Sequence, residues 1–370
     1  MRLEREDLLR AYRRMRTIRE FEERVHREFA SGGIPGFVHL YAGEETAAVA
    51  VCENLQPGDQ ITSTHRGHGH SIAKDCDVTA MMKEIFGRAD GLCHGKGGSM
   101  HIADISKGML GANGIVGGGP PLACGAALSA SVLDNGGVAV AFFGDGAFNQ
   151  GTTLESLNFA RVYDLPVLFV LEDNGYAEST SSDWSIGGND PVRRAEGFGI
   201  KGEKVDGHDF FAVYRAAQEA LEAIRNGAGP RFIHIEFTRY YGHFEGDAMT
   251  YRPPGEVEEE RSFLDCLAFF RARTTQGGQL DTAELDAIDD AVVVAVGPRE
   301  ADGVVADRVD ALDRACPAGE LHLDIVQNPE RRLGGCRCRA DRGMRVGIPA
   351  LSAWADPAEI LQPISADVSV

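Results

Sequence analysis

Two short segments carry residues suited to chemistry at a phosphate: Gly144-Asp145-Gly146-Ala147 and Glu172-Asp173-Asn174-Gly175-Tyr176. An apolar run from Val138 to Phe143 leads into the first. A second run, Pro166 to Leu171, leads into the other, with a helix-forming stretch between them. The expected order is strand, turn, helix, strand, turn. One crossover between parallel strands puts both turns at the carboxyl edge of the same sheet. Asp145 and Asn174 are then neighbours in space. A carboxylate and an amide oxygen side by side make half a shell for Mg²⁺, a hard cation that prefers oxygen and leaves its other positions to water or phosphate. The glycines beside Asp145 let backbone N–H groups approach an anion closely. The competing reading of these segments alone is an ordinary glycine-rich turn of an α/β protein.

Two further clusters combine arginine, glycine and histidine. Thr64-His65-Arg66-Gly67-His68-Gly69-His70 follows one expected strand, and Arg239-Tyr-Tyr-Gly-His243-Phe-Glu-Gly-Asp247 follows another. Arg66 suits a phosphate, with glycines allowing close approach. Zinc is the other reading of the first cluster, but no cysteine or acidic residue stands at a familiar ligand spacing. Gly91 to Ser99 invites a nucleotide P-loop reading. It fails because the spacing is one residue short and Gly97 stands where Ser or Thr must hold Mg²⁺. The loop Gly111 to Gly117 could offer backbone groups to a flat ring.

These segments need a scaffold, and 370 residues suffice for a substantial core. The 43% apolar and 25% charged content is that of a globular protein. A net charge of −19 disfavours nucleic acid. No apolar run is long enough for a membrane span, and the charged start, Met1 to Asp7, has no apolar signal core. Cytoplasmic location is expected. Eight scattered cysteines form no C-x-x-C pair and read as reduced thiols.

Leu8, Tyr12, Met15, Ile18, Phe21 and Val25 recur at helical steps, which predicts one helix over 3–30. Helices are expected at 44–55, 122–135, after Gly151 (with Thr152 and Glu155 as a capping box), at 210–226 and at 256–275. A strand with its following loop is expected at 59–65, the histidine segment to His70 being part of that loop, and strands are expected at 202–205 and 231–237. Residues 87–121 read as a long irregular, functional stretch. The expected fold is α/β, a parallel sheet with helices on both faces. Residues 1–290 form its domain. Residues 291–370 are expected to be an atypical tail, partly disordered or carrying an insertion, that starts with a strand at Val292–Val296.

Gly-Asp-Gly followed by Asn at this distance resembles the thiamine diphosphate motif. Over roughly residues 8–275 the chain resembles the α subunit of the first component of 2-oxo acid and acetoin dehydrogenase complexes. The matching segments are Gly36 to Glu44, His65 to His70, Gly95-Lys-Gly-Gly-Ser-Met-His101, Gly114 to Gly117, Gly144-Asp145-Gly146, Asn174 and Arg239 to His243. The resemblance implies thiamine diphosphate and Mg²⁺, with Asp145, Asn174 and the Tyr176 carbonyl as metal ligands. It assigns the diphosphate to Arg66, Arg239 and the N–H groups of Gly146 and Ala147. Gly114 and Val116 would meet the aminopyrimidine. His243 would be the proton-transfer residue, with His68 as a second candidate. The motif departs at Asp173, where asparagine is common.

The resemblance further implies a β subunit that supplies the activating glutamate, an α₂β₂ heterotetramer, a small-molecule substrate and a lipoyl-bearing acyltransferase core. Acetoin is favoured over pyruvate. Phe244 stands where pyruvate-type members carry a phosphorylatable serine, so kinase control there is not expected. A branched-chain 2-oxo acid enzyme, a thiamine enzyme without a lipoyl acceptor and a metal- or nucleotide-binding module are the alternatives.

Overall fold

The computed structural model describes residues 3–296. Helix α1 (Arg5–Ala30) buries Leu8, Tyr12, Met15, Ile18, Phe21 and Val25, the stripe its periodicity demands. A short connection leads to α2 (Glu45–Cys52), every residue of which is buried. Arg19 joins the two helices through a buried bidentate contact to Glu45, at 2.5 and 3.0 Å. Then come β1 (Gln60–Thr62), α3 (His68–Ala73) and α4 (Val78–Ile85). The histidine segment expected as a loop is therefore half helix.

Residues 87–121 are not wholly irregular. They contain β2 (Met109–Gly111), an edge strand pairing parallel with β1. The preceding loop is organised by one side chain of α4. The Glu84 carboxylate accepts from the backbone N–H groups of Cys93, Gly95, Gly97 and Gly98, at 2.7–3.1 Å. Burial opposes its ionisation, but these four donors hold Glu84 below the usual carboxylate range.

The chain continues through α5 (Gly119–Leu133), β3 (Ala139–Gly144), α6 (Asp145–Phe148), α7 (Gly151–Val162) and β4 (Val167–Asp173). The expected capping box does not form. Thr152 Oγ1 instead donates to the Gly117 carbonyl at 3.0 Å, tying that loop to α7. A two-strand hairpin, β5 (Tyr176–Ala177) and β6 (Thr180–Ser181), precedes α8 (Ser182–Ser185) and α9 (Pro191–Glu196). Strand β7 (Lys201–Asp206), α10 (Phe210–Arg225) and β8 (Arg231–Glu236) complete the main sheet.

The single helix expected over 256–275 is two, α11 (Glu256–Phe263) and α12 (Cys266–Gln276). Between them Asp265 caps α12 by accepting from the Leu267 N–H. The strand expected at Val292–Val296 is the end of α13 (Thr282–Val296). Leu285, Ile288, Val292 and Val296 are buried at helical steps, and that packing overrides the β propensity of the valines. The boundary expected at 290 falls inside this helix, and the rest of the expected tail lies outside the described residues.

All six strands of the main sheet run parallel, in the order β2-β1-β3-β4-β8-β7. Alternate residues of each central strand enter different cores. Val140, Phe142, Leu168, Val170, Ile233 and Ile235 pack with α1, α2, α10, α12 and α13. Ala139, Ala141, Phe143, Val167, Phe169 and Leu171 pack with α5, α7 and α9. Helices thus cover both faces, as an all-parallel sheet requires. From β1 the chain builds outward to β2, and from β3 it builds the other way, so strand order reverses between β1 and β3. A crevice outside the carboxyl ends of the strands at such a reversal is where open α/β sheets hold ligands.

Candidate active site

The register of β3 on β4 pairs Gly144 with Glu172, so Asp145 and Asn174 leave the sheet side by side. A cavity of about 260 Å³ opens there. Glu44, the Ser63–Arg66 turn, Asn113, Val116, Gly117, Asp145, Gly146, Ala147, Asn174, Tyr176, Arg239 and His243 are among the residues lining it. A Cβ on Gly146 would meet the Ala177 Cβ at 2.8 Å, so glycine is needed where the hairpin packs against α6.

Asp145 is 3% exposed, and its Oδ2 has no hydrogen-bond partner. Burial, with the charge of Asp173 close by, pushes its pKa up to about 7. Asp173, the residue that departs from the motif, is itself held low despite burial. It pairs with His234 Nε2 at 3.0 Å and accepts from the Gly175 N–H at 3.0 Å. Asn174 Nδ2 donates to Glu44 at 2.9 Å. Burial raises Glu44 to about 8. A divalent cation beside Asp145 would stabilise its ionised form and give the lone oxygen a partner, so this donor set fits Mg²⁺. The Tyr176 carbonyl, expected as a third ligand, accepts from Arg239 Nη1 at 3.2 Å.

The opposite wall is cationic. Arg239 also donates to the Tyr241 carbonyl and the Tyr251 hydroxyl. Arg66 donates to the carbonyls of Leu40 and His243, the latter at 2.9 Å, and thereby joins the segment before α2 to the loop after β8. Between the arginines lies a group of imidazoles that spacing did not suggest. His39 and His65 have ring centroids 4.5 Å apart, and His243 is 5.0 and 5.2 Å from them. Burial first, then the neighbouring guanidiniums, lowers His243 to about 4 and His65 to about 3. Burial, then His65 and Arg66, takes His39 to about 2. All three are neutral at neutral pH.

Comparison with known proteins gives the family. Residues 13–299 match the model of the dehydrogenase E1 component family. The chain is 59% identical over 287 residues to the α subunit of an acetoin:2,6-dichlorophenolindophenol oxidoreductase from Cupriavidus necator, covering 78% of this chain and 86% of that one. It is 57% identical over 260 residues to the protein of that name from Bacillus subtilis, covering 70% and 78% of the two chains. Identity is 40% over 323 residues to the pyruvate dehydrogenase E1 component subunit alpha of Rhizobium meliloti, covering 87% and 90%. The chain belongs to the dehydrogenase E1 component family. Members are thiamine-diphosphate-dependent oxidoreductases, and the chain is an enzyme of that class.

Within the E1 fold, the cavity gathers most of the residues the sequence singled out: Arg66, Val116, Asp145, Gly146, Ala147, Asn174, Tyr176, Arg239 and His243. Gly114 lies outside the lining. A Cβ there would meet His101 Nε2 at 3.4 Å, while its neighbours Asn113 and Ile115 face the cavity. His68 is withdrawn as a proton-transfer candidate. It is fully buried outside the cavity, with Nδ1 on Glu22 at 3.0 Å and Nε2 on Ser99 at 3.0 Å. Glu44, Glu172 and His39 were missed as site residues. Glu172 receives the Tyr41 hydroxyl and pairs with His70 at 2.9 Å. The Gly36–Glu44 match pointed to two of these three without assigning either a role.

No helix among the described residues is long and apolar enough to cross a membrane.

Proposed function

We propose that this chain is the α subunit of an acetoin-cleaving dehydrogenase, working with a β subunit in an α₂β₂ heterotetramer in the cytoplasm and passing a two-carbon fragment to a lipoyl group on a separate core protein. The carrying observation is Asp145: a buried carboxylate with a partnerless oxygen, beside Asn174, at the carboxyl edge where strand order reverses. Asp145 and Asn174 would hold Mg²⁺, with the Tyr176 carbonyl using its second lone pair. Arg66 and Arg239 supply positive charge for a diphosphate, and the N–H groups of Gly146 and Ala147 are placed for its oxygens. The exposed side chain of Val116, 48% accessible, gives a flat ring an apolar seat. Bound thiamine diphosphate supplies a carbon nucleophile and an electron sink for cleaving a bond next to a carbonyl. His243 is neutral above about pH 4, so its ring nitrogen can take up and return a proton at neutral pH.

Acetoin is preferred because the two relatives near 60% identity carry acetoin in their names, whereas the pyruvate-named one is at 40%. The deciding experiment co-expresses the chain with a β-type partner. It measures thiamine-diphosphate- and Mg²⁺-dependent dye reduction with acetoin, pyruvate and branched 2-oxo acids, with Asp145→Ala as control. Activity with acetoin is expected. Activity only with a 2-oxo acid would move the substrate and keep the cofactor site. Full activity of the chain alone would refute the need for β.

A further inference from the structure

We propose that His39, His65 and His243 together bind a transition-metal ion of the Zn²⁺ type, at a site distinct from the Asp145 oxygens. The three residues come from three places: the segment before α2, the turn after β1 and the loop after β8. Each offers a ring nitrogen, and the three nitrogens lie within 4.8 Å of one another. His39 is 7% exposed, and its Nδ1 is buried with no hydrogen-bond partner. A buried imidazole nitrogen without a partner is costly, and a metal ion is one of the few groups that can satisfy it here. Metals bind the neutral ring, the form all three hold at neutral pH.

Ligand type separates this site from the one at the sheet edge. Three imidazoles favour Zn²⁺, Cu²⁺ or Ni²⁺, whereas the carboxylate and amide of Asp145 and Asn174 favour Mg²⁺. Zn²⁺ takes imidazole nitrogens at about 2.0–2.1 Å and tetrahedrally, so the rings must rotate inward, leaving a fourth position for water. Arg66 and Arg239 beside the cluster repel a dication, so binding is expected to be weaker than at a structural zinc site. The zinc reading of the His65–His70 segment failed in sequence because its partners lie elsewhere in the chain. His68 and His70 point into other hydrogen bonds, and His65 finds His39 and His243 instead. If His243 transfers protons as proposed above, an ion held there also blocks turnover.

The test uses the full chain co-purified with its β partner, treated with chelator and returned to excess Mg²⁺, with no thiamine diphosphate or substrate. Co²⁺ is titrated and its visible d–d absorption followed, then displaced with Zn²⁺. One ion per chain with tetrahedral absorption is expected. His39→Ala and His65→Gln should each weaken binding roughly tenfold or more. Asp145→Ala should leave it unchanged. Thermal melts establish that each variant is folded, and the isosteric His65→Gln guards against a general collapse of the loop. Absence of Co²⁺ absorption, binding unchanged in folded His39→Ala and His65→Gln proteins, or binding lost in Asp145→Ala alone would overturn the proposal. The readout needs no catalysis, so it stands or falls independently of the substrate assignment.

Discussion

The two walls of the cavity are shaped by the same force in opposite directions. On the β3–β4 wall, burial favours the protonated form and lifts Asp145 to about 7. On the wall formed by the segment before α2 and the loops after β1 and β8, burial favours the unprotonated form and drops His243 to about 4. The contrast teaches that one wall is governed by a proton near neutrality while the other is not. A cation proposed at Asp145 would have to compete with that proton, whereas the imidazole of His243 stays unprotonated above about pH 4.

The largest expected effect comes from removing the side of this contrast proposed to hold a cation. Asp145→Ala should lower kcat/KM on the order of 10³-fold or more, because several kcal/mol of charge stabilisation are lost. Calorimetry should show Mg²⁺-dependent thiamine diphosphate binding lost with it; retention of that binding would break the assignment of this wall. On the other wall, His243→Ala should cost about 10²–10⁴-fold in kcat with cofactor affinity retained, as for the loss of a general acid–base group. A proportional loss of cofactor binding instead would make His243 a positioning residue.

The pH prediction sharpens the comparison further. Asp145 has a folded pKa of about 7 against an ordinary 3.8, so its contribution to stability is present below pH 4 and is lost as pH rises to 7. If Mg²⁺ binds Asp145 as proposed it offsets that loss, so stabilisation by Mg²⁺ should grow from pH 6 to pH 8. Below pH 7 the Mg²⁺ concentration for half-maximal activity should climb about tenfold per pH unit, as protons occupy the carboxylate. Activity measured across Mg²⁺ and pH checks this. An acid limb that ignores Mg²⁺ would assign the titration to another group. The smallest activity effect is expected at His68, which belongs to neither wall. His68→Gln should lower stability by about 1–3 kcal/mol through the broken contacts to Glu22 and Ser99 while leaving kcat nearly unchanged, as denaturant melts and kinetics would show.

The sheet-edge wall was largely legible in the sequence, and the histidine wall was not. Two apolar runs ending in Gly-Asp-Gly and Asp-Asn state locally that a strand stops and a polar group follows. The parallel crossover then fixes the rest, so Asp145 and Asn174 could be paired without a structure. His39 has no such local signal. It sits in a segment without helical or strand periodicity, and its placement depends on Arg66 bonding Leu40 and His243 across the fold. Strand β2 was hidden for a related reason, since three residues in a glycine-rich stretch carry no periodicity. At Val292–Val296 the local signal pointed the wrong way, because four valines were read without the helical steps of four and three residues back to Ile288 and Leu285. Asp265 was the opposite case. A helix-breaking cap stood in plain view inside an apparently continuous helix.

Glu84 has a consequence for how this chain can change. It grips the 93–98 loop through peptide N–H groups, while the Cys93 thiol is held separately by the Ala103 N–H. Lys96 is exposed and its N–H donates to the Cys93 carbonyl rather than to Glu84, so it could be exchanged for many residues other than proline without disturbing the loop's path. Position 84 has no such latitude. Aspartate falls one methylene short and glutamine offers a single acceptor oxygen, and the intolerance at position 84 is matched at the glycines it binds, where a Cβ on Gly95 or Gly97 would meet backbone at 2.5 or 2.7 Å.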